Sequence, residues 1–204
     1  MAVGLSIVLR FRYTIDMKSK QLARDVLWNI AELQHGFVTA QQAVEAGIST
    51  PGLQMLVHRG TLVRQAHGVY RFPKYPVSEH GQKILAVLWT GVPEAVLSHE
   101  TALDAYGLTD INPHVIHLTV SPQRRIRRTG GEAYVVHYED VDAAEKGWWE
   151  EVPIVLASKA IEQCIEGGTP TYLLRQALEN GQKQGYLTTG QREALQLKLE
   201  ARHE

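Results

Sequence analysis

The 204-residue chain is 44% hydrophobic and 21% charged with a formal net charge of -1, a balance that fits one large globular unit or two small ones and excludes a disordered polyelectrolyte. Its single cysteine, Cys164, excludes an intramolecular disulfide and a Cys-rich metal site, and fits a reducing cytosol. Charge is uneven: residues 1–76 hold nine Lys or Arg against four Asp or Glu and residues 77–204 hold twelve against eighteen, as when a basic DNA-reading module is joined to a module of another kind.

The start, Ala2 to Leu9, is apolar for too few residues to span a bilayer and lacks the basic lead and small-residue cleavage pattern of a signal peptide. A cytoplasmic protein without a membrane segment is expected, and residues 1–16 read equally well as an upstream extension or a strand. Leu22, Val26, Leu27, Ile30 and Leu33 fall on one helical face, which predicts an amphipathic helix over Ser19–Gln34 stopped by Gly36. The turn Gly36-Phe37-Val38-Thr39 follows. Thr39 stands three residues before Gln42, a capping-box pattern that opens a second helix near Ala40–Ala46. Ser49-Thr50-Pro51 opens a third, with a hydroxyl cap and proline at the first helical position. Leu53, Leu56 and Val57 form its buried stripe and leave Gln54, Met55, His58 and Arg59 facing elsewhere. Two β-rich runs about a His67-Gly68 turn, ended by Pro73, predict a hairpin. Three helices joined by short turns and followed by a hairpin make a winged helix-turn-helix, here over residues 18–75.

Pro73–Pro76 reads as a linker to a second unit over residues 77–204 of mixed α/β character, so the fold class is α+β. In that unit Ser78–Trp89 and Ser98–Tyr106 read as helices, the latter capped by Ser98. Ile116–Val120 and Ala133–Tyr138 read as strands, with Pro153–Leu156 as a further candidate. Helices return at Ser158–Ile165, Pro170–Gln184 and Thr188–Leu199, the last with a capping box at Thr188 and Gln191.

The exposed face of the third helix is the part suited to the major groove of double-stranded DNA. Ser49 and Thr50 stand at its amino end, where free backbone donors favour a phosphate; Gln54 pairs with adenine, Arg59 with guanine or a phosphate, and His58 suits either. Arg64, His67 and Arg71 are the wing candidates for phosphate or minor-groove contact, while charges on an edge strand against aggregation are the alternative for the two arginines. Tyr70 and Phe72 are expected to pack under the wing. Arg124, Arg125, Arg127 and Arg128 alternate around Ile126, so two or more guanidinium groups are expected on one strand face, as a secondary basic patch for the DNA backbone, a contact for an acidic partner or RNA, or a solvated hairpin rim. Catalytic signals are weak: Ser98-His99-Glu100 has triad residue types, but neighbours on one helix lack triad geometry. The nine histidines show no metal-ligand spacing, no phosphate-cradling glycine loop is present, and Asp140, Asp142, Glu150 and Glu151 read as surface acids around Trp148-Trp149. Cys164 is expected in the core. No cofactor or metal is expected, and the chain does not read as an enzyme.

On these residues the sequence resembles the AbiEi-type antitoxin family, the regulator half of type IV abortive-infection toxin–antitoxin pairs. The matching pieces are Gly36-Phe-Val-Thr39, the helix after Ser49, Gly60-Thr-Leu-Val-Arg64, His67-Gly-Val-Tyr-Arg-Phe72, Leu97 to Leu103 with Gly107-Leu108, and Ile116-His-Leu-Thr-Val120. The resemblance runs from about Lys20 to Leu199. It departs at Ala157-Ser158-Lys159-Ala160, where such proteins often carry a Thr-rich start to the helix. The resemblance implies a repressor that binds inverted repeats in its own two-gene operon, cooperatively and in two or more copies. It also implies that the second unit counteracts a nucleotidyltransferase-like toxin, and it places the DNA contacts on Ser49 to Arg59 and the wing. The alternative is a stand-alone transcription factor whose second domain senses a ligand or dimerises.

Overall fold

A computed structural model describes residues 22–202; the strand or extension expected at residues 1–16 lies outside them. Helix α1 spans Ala23–Glu32, inside the wider predicted range, and buries Leu27, Ile30 and Ala31. Strand β1 (Phe37–Thr39) follows where only a turn is predicted. Three residues carry too little alternation to announce a strand, and pairing with a distant partner is what makes it one. Thr39 then caps α2 (Ala40–Glu45) by the expected box: its Oγ1 accepts the Gln42 N–H at 3.1 Å and its own N–H donates to Gln42 Oε1 at 2.9 Å. Thr39→Ala is expected to cost about 1 kcal/mol of stability, measurable as a lowered urea midpoint with unchanged slope.

Ser49 caps α3 (Thr50–His58), its Oγ accepting the Gly52 N–H at 3.3 Å, with Pro51 at the second helical position rather than the first. Strands β2 (Val63–Ala66) and β3 (Val69–Arg71) form the hairpin, with Gly68 at φ +70° supplying the left-handed turn. The sheet order is β1-β3-β2, all antiparallel, so β2 is an edge and β3 the centre. Leu27, Ile30, Val38, Ile48, Leu53 and Leu62 pack with Tyr70 and Phe72 into the core of this winged helix. The aromatic pair lies under the wing, as expected.

Helix α4 (Gly81–Thr90) packs against both sheets of the molecule. Short β4 (Val96–Leu97) leads into α5 (His99–Ala105), then come β5 (Ile116–Val120), β6 (Tyr134–Tyr138), β7 (Lys146–Trp149) and β8 (Val152–Val155). They build a five-stranded mixed sheet in the order β6-β5-β4-β8-β7, with β5–β6 and β4–β8 parallel. Leu118, Thr119 and Val120 are buried in succession, so both faces of β5 are covered. Helices α6 (Ala157–Glu166), α7 (Thr171–Lys183) and α8 (Thr189–Ala201) pack on one another and close the larger core. The Thr188–Gln191 capping box opens α8 as predicted. Cys164 lies in this core, where burial pushes its thiol up to about 12. Phe37 and Val69 of the winged helix also belong to this larger core.

Ser98 corrects an expectation. It occupies the cap position of α5, but its buried Oγ makes no capping hydrogen bond and lies 3.0 Å from His99 Nδ1. His99 stands at φ +50°, which turns the chain so that its own N–H reaches Gln163 Oε1 of α6 at 3.3 Å. The donor at this helix start is thus satisfied from another helix. The arginine run is likewise in a loop between two parallel strands, not on a strand face.

Candidate nucleic-acid interface

Helix α3 is anchored by Leu53 alone as a fully buried residue, with Leu56 and Val57 half-buried beside it. Ser49, Thr50, Gln54, His58 and Arg59 are all exposed. Thr50, Gln54 and His58 follow one another at four-residue steps, so they stack along one side of the helix. Among the described residues no hydrogen bond or ion pair engages the side chains of Gln54, His58 or Arg59. The face is not packed against the acidic second half of the molecule. A bare, polar helix face about 9 residues long, with one arginine and no acid on it, is shaped and charged for a duplex groove.

The hairpin beside it is built differently residue by residue. Arg64 is exposed on the edge strand, its Nε donating to the Ala66 carbonyl at 3.3 Å where the register slips. His67 is exposed at the turn. Arg71, on the central strand, is half-buried: its Nη2 donates to the carbonyls of Tyr75 and Pro76, both at 2.9 Å, and its guanidinium lies over the Phe37 ring. That side chain ties the chain leaving the wing back to the sheet, and is the wing candidate the fold uses internally.

The basic run divides in the same way. Arg124 Nε pairs with Glu94 Oε1 at 2.7 Å. Arg128 is half-buried and its Nη1 donates to the carbonyls of Trp89 (2.7 Å) and His67 (3.2 Å), so the second unit holds the wing turn. Gly91, at φ +67°, permits this approach, since a Cβ there would collide with the guanidinium. Arg125 and Arg127 remain exposed, in the same loop that reaches the wing. Sequence spacing carries no sign of the Arg128–His67 contact, which joins residues 61 apart. His35 makes a second tie of this kind, its ring Nε2–H donating to the Glu150 carbonyl at 2.8 Å.

Three of the histidines that look scattered in sequence are brought together. The His99 ring stacks on His137 with centroids 3.6 Å apart, and His117 Nδ1 shares a 2.9 Å hydrogen bond with His137 Nε2. Glu100 lies 3.7 Å from His117 Nε2 and accepts from Thr169 Oγ1 at 3.0 Å. Glu139 accepts from Gln163 Nε2 at 2.6 Å and pairs with Lys159 at 2.7 Å. Desolvation, then the neighbouring His137 and His117, drive His99 down to about 3, and burial lowers His117 and His137 as well. Among the described residues no group of three or more His, Cys, Asp or Glu is arranged to hold a metal ion, and no helix is long and apolar enough to cross a membrane.

No curated protein matches the chain. Among solved structures it aligns with the crystal structure of the RV2827C protein from Mycobacterium tuberculosis over 86% of this chain and 80% of that one, at 18% identity and a TM-score of 0.40. The winged-helix segment, residues 27–73, matches the model of a family described as transcriptional regulator, AbiEi antitoxin.

Proposed function

We propose that the chain is a DNA-binding transcriptional repressor and antitoxin. Residues 18–75 read double-stranded DNA, and residues 77–204 carry the antitoxin and interaction role. The observation that supports this most directly is the unencumbered α3 face, Thr50, Gln54 and His58 in line with Arg59 at the end, beside a hairpin that presents Arg64 and His67. Ser49 and Thr50 meet a phosphate at the helix start, Gln54 and Arg59 read base edges, and the wing grips the backbone alongside. Arg71 is left out of the contact set because its guanidinium is committed to the linker carbonyls. In this reading the operator carries inverted repeats in the chain's own promoter, two or more copies bind it cooperatively, and the neighbouring gene encodes a nucleotidyltransferase-like toxin that the second unit counteracts. The protein works in the cytoplasm and needs no cofactor.

The test is footprinting and fluorescence anisotropy of the purified chain on its native promoter across a salt series, with the downstream gene sequenced. Protection of an inverted repeat with steep salt dependence supports the reading; no binding at low salt removes it. Arg125 and Arg127 extend the same interface, since their loop touches the wing turn through Arg128. The double variant Arg125→Ala/Arg127→Ala is therefore expected to flatten the slope of log affinity against log salt by about 2, with little change in sequence preference. An unchanged slope makes the loop a solvated rim.

A further inference from the structure

Between the winged helix and the five-stranded sheet lies an open cleft of about 590 Å³, within the size range of small-molecule sites. One wall is apolar: Leu88, Val92, Pro93 and the half-exposed indole of Trp148. The start of α2 and the wing turn, His67-Gly68, also line the cleft. Arg128 and Lys146 reach the same space, and neither cation has an anionic partner. Arg128 is held only by two neutral carbonyls, and half-buried Lys146 has no acid within ion-pair distance among the described residues. Of the acids on the rim, Glu94 is paired with Arg124 and Glu45 accepts from the Gln41 amide at 2.9 Å. Burial alone lowers the Arg128 pKa, the signature of a desolvated cation without a counter-charge.

The geometry points to this cleft as a binding site for a small molecule with a flat apolar body and one anionic head, such as an aryl carboxylate or sulfonate. The body lies on Leu88, Val92 and Trp148, and the head meets Lys146 and Arg128. Apolar contact supplies most of the affinity and the two cations supply the orientation. Because the wing turn and α2 line the cleft, occupancy and DNA affinity are linked reciprocally, a consequence that rests on the proposed DNA-binding function while the site itself does not.

The probe is 8-anilinonaphthalene-1-sulfonate, titrated into the full chain without DNA and followed by its fluorescence. One saturable site per chain is expected. Lys146→Glu and Trp148→Ala should each weaken it about tenfold, the cost of one charge-assisted or aromatic contact. Tyr172→Ala, which removes an exposed ring on α7, should leave it unchanged, and the melting temperature checks that each variant folds. The uncharged analogue N-phenyl-1-naphthylamine should bind at least about tenfold more weakly. Equal binding of the two probes, or several weak sites indifferent to Lys146→Glu, overturns the assignment. So does a change of oligomeric state in Trp148→Ala by light scattering, which would make the cleft a contact between copies. Anisotropy of a labelled promoter fragment with saturating probe then reads the linkage. Failure to bind DNA at all counts against the repressor reading and leaves the fluorescence result standing for the site.

Discussion

Arg59→Ala is expected to weaken binding to the native promoter by about 1–3 kcal/mol, or roughly 5- to 150-fold, and Gln54→Ala by a similar amount. Both side chains are exposed and make no hydrogen bond or ion pair among the described residues, so their removal costs the fold almost nothing. Melting temperatures should therefore coincide with that of the parent chain, and the entire effect should appear in DNA binding. The pattern across sequences tells base reading from phosphate contact. A bidentate pair to a base is lost only on the operator, so the ratio of operator to unrelated DNA affinity falls. A phosphate contact is lost everywhere, so the ratio holds while the salt slope becomes shallower by about 1. Unaltered affinity in both variants would move the interface off α3.

The stability of the chain should fall by about 1–2 kcal/mol between pH 8 and pH 5, and His99 should account for most of it. In the folded chain His99 is held at about 3 against 6.5 for the free side chain, first by desolvation and then by His137 and His117. Between these values the unfolded chain binds a proton that the folded chain refuses, so stability rises with pH and is lost as pH drops below 6.5. His117 and His137 shift in the same direction, because burial outweighs the opposing pull of Glu100 and Glu139. The fully buried limit for His99 over this interval is about 2 kcal/mol, and solvent at the partly buried ring reduces it. Urea unfolding at the two pH values measures the difference. His99→Asn tests its origin, since asparagine tolerates the φ of +50° and carries no titrating ring. The variant should lose the greater part of the pH dependence. A parent chain equally stable at both pH values would mean that the stacked rings accept protons freely in the folded state.

Much of the local structure, in the winged helix above all, is legible from chemistry between near neighbours. The Thr39–Gln42 and Thr188–Gln191 boxes, the Ser49 cap and the His67-Gly68 turn act within a few residues, and each stands where the pattern placed it. The exposure of Gln54, His58 and Arg59 follows equally from helical periodicity. Where the reading erred, the local rule was overridden at a distance. Ser98 has the composition of a cap, but Gln163 of another helix supplies the acceptor instead. Strand β1 is three residues long and exists because β3 pairs with it.

Legible in the amino-acid order alone were the main helices, the helix-turn-helix with its wing, and the side of α3 left to solvent, since these depend on hydrophobic periodicity and on caps and turns that bond to near neighbours. Long-range packing alone commits Arg71 and Arg128 to the fold, stacks three histidines, and opens a cleft between the wing and the sheet. Those features depend on which strands lie side by side and which groups lose their water, and contacts between residues tens of positions apart leave no periodic trace in a chain.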